Sequence, residues 1–126
     1  MSATINGVPV SKTRMYRILT GMKSRCHNER DRHYRWYGAK GITVCEEWQG
    51  KDGAVRFCEW ALSHGYDDTM TIDRIESDRG YCPDNCMWLP RSVNSTKLTP
   101  ELRKFYKSVG VKNFEFYDEV NNKAFV

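Results

Sequence analysis

The stretch TIDRIESDRGYCPDNCMWLPRSVNSTK, residues 71–97, holds the side chains best suited to chemistry. It places Asp73 near the end of one extended run, Asn85 in the return, and Asn94 in a helix opened by Pro90. When a β-hairpin packs on a helix, the strand end and one helix face can converge on a point. Asp73 and Asn94, 21 residues apart, could then share one divalent cation through two oxygen atoms. Oxygen ligands suit Mg²⁺ or Mn²⁺, and Mg²⁺ usually keeps several waters and a substrate phosphate in its shell. A metal on the scissile phosphate, with room for an attacking water, outlines a phosphodiester-cleaving site. Asparagine is a poor helix former, so a ligand role gives Asn94 a reason to be mid-helix.

The cysteines offer a second possible centre. Cys26, Cys45, Cys58, Cys82 and Cys86 are five, so complete internal disulfide pairing is impossible. A structural zinc site could draw on Cys26, Cys45, Cys86 and either His27 or Cys82, since zinc takes thiolate and imidazole ligands. The absence of any CxxC pair weighs against it, and small thiols also pack as apolar side chains.

Several elements must position these groups. Residues 1–10 carry few anchors and read as a flexible arm. From Ser11, Met15, Ile18, Leu19, Met22 and Cys26 recur at helical spacing, with Ser11 as cap and Asn28 as stop. The run 28–41 mixes basic and aromatic residues with Gly38 and Gly41 and reads as a loop, and 42–48 alternates as a short strand. A second helix is expected over 53–64, with Gly65 just past its end. Next come a strand around TMTIDRIE, with Met70, Ile72 and Arg74 on one side and Thr71, Asp73 and Ile75 on the other, then a turn and a second strand. Thr99-Pro100-Glu101 starts a helix over about 100–108, and the tail reads as a hairpin around Asn121-Asn122. Trp36, Trp48, Trp60 and Trp88 are assigned to the core. The fold class is α+β, a small single domain.

At 126 residues the chain has room for one domain, and no apolar run reaches the 18–20 or so residues of a membrane span. The N-terminus has no apolar signal-peptide core, so the expected setting is the cytoplasm, without a membrane partner. Charge is divided unevenly. Residues 1–44 hold nine Lys/Arg against two acids, whereas residues 45–126 hold eleven against fourteen. A basic half of this kind attracts a polyanion, with DNA the first candidate. Arg14, Arg17, Lys23 and Arg25 on the first helix and Arg30, Arg32, Arg35 and Lys40 in the loop would hold the phosphate backbone without reading sequence.

Four blocks in order, MKSRC (22–26), WYGAKGITVCEEW (36–48), WALSHGY (60–66) and TIDRIESDRGYCPDNCMW (71–88), carry a resemblance. The chain resembles small phage-encoded HNH-like proteins, whose ββα-metal motif lies in the last block. The resemblance covers about two thirds of the chain. It implies a phage-type HNH-like domain over 11–98, with 99–126 a helix-and-hairpin extension that it leaves unaccounted for. Asp73 matches the metal-binding acid that ends the first strand. Asn85 matches the middle Asn, which ties the loop by hydrogen bonds, and Asn94 matches the last ligand position on the helix.

Arg74 departs from the pattern, standing where most HNH enzymes carry the histidine that deprotonates water. Arginine has no acceptor and a pKa above about 12, so it cannot act as that base. In one reading Arg74 clamps the phosphate in the transition state and another group serves as base. An Asp-Arg pair also occurs in some HNH restriction endonucleases in which tyrosine takes that part. His33, Tyr34 and Tyr37, from the basic aromatic loop, are the candidates. In the other reading the site is inactive and the fold is kept to bind DNA or a host protein. The resemblance thus implies a Mg²⁺- or Mn²⁺-dependent DNA endonuclease leaving 5′-phosphate and 3′-hydroxyl ends, with homodimer formation left open.

Overall fold

A computed structural model describes residues 3–91 and 99–109 of the chain. Within them the protein is a small α+β fold, α-helices packed with two small antiparallel sheets. The expected loose arm is instead a miniature hairpin, β1 (Thr4–Ile5) against β2 (Val8–Pro9). Its turn is Asn6-Gly7, with φ of 50° and 81°, the positive pair that suits the twist of a two-residue connection. The hairpin delivers Val10 into the core.

α1 (Arg14–His27) starts later than expected because Thr13, not Ser11, is its cap: the Thr13 hydroxyl accepts the Tyr16 N–H at 3.1 Å. Met15, Leu19, Met22 and Cys26 form its buried stripe, and Asn28 closes it. The basic aromatic segment is not an open loop but two 3₁₀ turns, Tyr34–Trp36 and Gly38–Lys40. Gly38 is required there, since a Cβ would lie 2.1 Å from the Tyr34 ring and 2.3 Å from the Cys26 carbonyl oxygen. The expected strand over 42–48 is absent. Val44 makes a single parallel bridge to Tyr81, and Glu46–Trp48 forms a 3₁₀ turn. The alternation in that run comes from Ile42, Val44 and Trp48 dropping into the core in turn, rather than from a ladder.

α2 (Gly50–Ser63) begins three residues before the expected Gly53 and buries Phe57, Cys58, Trp60 and Ala61. It ends where the sequence places the stop. Gly65 takes φ 86°, and the Tyr66 N–H reaches back to the Ala61 carbonyl at 3.0 Å, the six-residue closure of a Schellman cap. Trp48, Phe57, Trp60, Trp88 and Tyr66 then pack edge-to-face or tilted around the main core, with centroids 4.9–6.1 Å apart.

β3 (Met70–Arg74) pairs with β4 (Cys86–Pro90), Ile72 opposite Trp88 and Asp73 opposite Met87. This hairpin has two covered faces. Met70, Ile72, Cys86 and Trp88 join the main core, while Met87 and Leu89 join Ile75 in a second cluster sealed by Tyr106 and Leu102 of α3 (Pro100–Val109). Asn94 and the expected tail hairpin lie outside the described residues.

Candidate functional site

Strand alternation sends Asp73 to the face covered by α3 and Arg74 to the face of the main core. Asp73 is only 8% exposed. Its Oδ2 accepts the Arg103 Nε–H at 2.7 Å, and Arg103 is itself 18% exposed. Burial pushes the Asp73 carboxyl above its ordinary range, against the opposing pull of Arg103 and, more weakly, Arg74. A carboxylate held in a half-apolar layer against that desolvation is costly, which is why such groups mark functional candidates.

Arg103 comes from the segment that the resemblance left unaccounted for, and sequence reasoning missed it. Its only trace is the pattern of α3, where Leu102 and Tyr106 run beside Arg103 and Lys107, both pairs at four-residue spacing. Lys107 Nζ donates to the Pro83 and Cys86 carbonyls, the latter at 2.6 Å, and Lys104 pairs with Glu76 at 3.2 Å. The described helix therefore lays its cations along the return loop and onto Asp73.

Arg74 is occupied differently. Its Nη1 donates to the Ser77 carbonyl at 2.6 Å and the Arg79 carbonyl at 2.8 Å, closing the turn that follows β3. The guanidinium lies over Tyr37 at 5.2 Å and over Tyr81 at 5.3 Å. Arg25 also lies over Tyr37, at 5.3 Å, and acts electrostatically on Tyr81. Burial foremost raises the Tyr81 hydroxyl above its usual pKa, with Arg25 opposing. Asn85 is fully buried. Its Oδ1 accepts the Glu76 N–H at 3.0 Å, and its Nδ2 donates to the Glu76 carbonyl at 3.2 Å and the Gly80 carbonyl at 2.9 Å.

No protein-family model, curated protein or solved structure matches this chain.

Of the three candidate bases, Tyr37 meets Arg74 through its ring. His33 sits 3.6 Å from Asp31, and Tyr34 packs on Gly38. Arg14 bonds the Tyr66 hydroxyl at 3.1 Å and the Met70 carbonyl at 2.8 Å, so with Arg25 it serves internal contacts. Arg17, Arg30, Arg32, Arg35 and Lys40 are exposed, and Lys23 is half-buried, which lowers its pKa. Cys26, Cys45, Cys58, Cys82 and Cys86 are free thiols; Cys82 donates to Asp84. Among the described residues no three His, Cys, Asp or Glu side chains gather as a metal-ligand group. Trp48, Trp60 and Trp88 are core residues; Trp36, assigned to the core from sequence, is 46% exposed.

Proposed function

We propose that this chain is an HNH-like, divalent-metal-dependent endonuclease acting on DNA. The observation that carries the reading is Asp73, a buried carboxylate at the end of β3, beside a return loop closed by the buried Asn85. A carboxylate oxygen suits Mg²⁺ or Mn²⁺, and such sites commonly use one or two carboxylates, waters and the substrate phosphate, so a lone Asp73 fits. Asp73 would hold the metal together with Asn94, and the metal would supply Lewis-acid stabilisation of the phosphodiester. Arg103 must give up Oδ2 or share the carboxylate for this to occur. Arg74 keeps the turn after β3 closed and Asn85 fixes the return, so both hold the strand end in place. The exposed arginines of α1 and the 3₁₀ segment would hold the backbone of the DNA.

The Arg103–Asp73 ion pair favours a second reading, a non-catalytic member of the same fold that binds DNA or a host protein. Plasmid nicking with Mg²⁺ or Mn²⁺ separates the two. The nuclease reading expects cleavage that chelation abolishes and that Asp73→Ala removes, with duplex affinity close to wild type. Absence of cutting by the wild type, or undiminished cutting by Asp73→Ala, overturns it.

A further inference from the structure

Trp36 stands in the basic half with 46% of its surface open. A single exposed apolar residue is ordinary on a protein surface. What singles out Trp36 is its surroundings. The Arg35 guanidinium lies over the indole at 4.0 Å, and the His33 ring is tilted against it at 5.8 Å. Arg30, Arg32 and Lys40 are exposed in the same segment.

The segment is also rigidly built. Asp31 is turned inward, with Oδ1 accepting the His33 N–H at 2.8 Å and Oδ2 accepting the Ser24 hydroxyl at 2.6 Å. The Trp36 backbone N–H donates to the His33 carbonyl at 3.0 Å, and the close Gly38–Tyr34 approach fixes the other side. The next residue, Tyr37, carries Arg74 over its ring, which joins the segment to the end of β3. A half-open indole that carries Arg35, in a segment that also exposes Arg30, Arg32 and Lys40, has the two parts of a single-strand binding surface, a stacking plane and cations for phosphates.

We propose that Trp36 is a stacking platform for an unpaired nucleobase, with Arg35 and its basic neighbours holding the flanking phosphates of a single-stranded or locally opened DNA. This rests on the nucleic-acid reading above and specifies its substrate, because a base inside an intact duplex offers no free face to an indole. The exposed cations of the segment favour a nucleic acid over an apolar protein surface.

The test is anisotropy in EDTA, where no metal-dependent cutting occurs, with a fluorescein-labelled oligothymidylate of about 12 nucleotides. A labelled hairpin duplex is measured in parallel. Trp36→Ala should weaken the single strand by about 5- to 150-fold, the range of one lost base–aromatic stack, and the duplex by less than about 2-fold. Trp36→Phe should recover most of the loss. Arg35→Ala should lower the salt dependence on the single strand by about 0.7 per phosphate contact, whereas Trp36→Ala should leave that slope unchanged. Equal loss on both DNAs, or no loss on either, removes the platform and leaves the endonuclease reading standing. Discrimination by Trp36 in a protein that never nicks DNA keeps the platform and removes the endonuclease. A wild type that binds neither DNA overturns both.

Discussion

Asn85 uses its whole amide: one bond accepted and two donated, all to the backbone of the loop it closes. Asn85→Ala would leave the Glu76 N–H and two carbonyls without their partner. It should cost about 2–4 kcal/mol, read as a lowered urea midpoint at unchanged m-value. Asp73 and Arg103 make the complementary case. Their ion pair is mostly desolvated, so removing only the cation strands a buried carboxylate. Arg103→Ala should therefore cost about 3–5 kcal/mol. Replacing both partners, Asp73→Leu with Arg103→Met, should return most of that stability, because two apolar side chains fit the layer that Ile75, Met87 and Leu89 already form. A double-mutant cycle followed by chemical denaturation checks it, and a double variant no more stable than Arg103→Ala would show that the pair is not the source.

At the scale of elements, the β3–β4 hairpin is too small to stand alone, since two strands in water are marginal at best. Both of its faces must be covered, one by α1 and α2 through the tryptophan-rich core and the other by α3. Among the described residues the second cluster is small, with Tyr106 its largest side chain at 1% exposure. Tyr106→Ala should cost about 3–5 kcal/mol, in the range of other buried aromatic truncations. Hydrogen exchange should locate the loss: amides of α3 should lose protection first, while those of α1 and α2 keep theirs. Uniform loss across all three helices would mean that the two clusters form one cooperative unit. Because α3 also brings Arg103 to Asp73, its docking and the state of that carboxylate are physically tied.

For the whole molecule, electrostatics is divided between internal and outward duties. The N-terminal third is strongly basic, yet Arg14 and Arg25 are held by Tyr66, Met70, Tyr37 and Tyr81. DNA affinity should fall with salt, with log K dropping by about 0.9 per phosphate neutralised on a duplex. Alanine at Arg17, Arg30, Arg32 or Lys40 should each lower that slope by about one while leaving the denaturation midpoint unchanged. Arg14→Ala should do the reverse, lowering stability and leaving the slope intact. A salt-independent affinity would make the basic half an ordinary solvated face. No helix among the described residues is long and apolar enough to cross a membrane.

Local chemistry was legible in the sequence wherever a few neighbouring residues decide the outcome. The three- and four-residue spacing of Met15, Leu19, Met22 and Cys26 set the buried face of α1. Gly65 set the end of α2, and the alternation of Met70 to Arg74 set which residues of β3 share a face. The same alternation misled over 42–48, because a chain dropping Ile42, Val44 and Trp48 into the core looks like a strand whether or not a partner strand lies beside it. Trp36 was misplaced for a related reason: side-chain type gives a tendency to be buried, while the turn at 34–36 decides where the ring points. The Asp73–Arg103 pair spans 30 residues, and no local pattern encodes which cation meets which carboxylate. That choice belongs to tertiary structure, because it follows from how α3 seats Tyr106 and Leu102 on the hairpin and so fixes where the next residue, Arg103, must point.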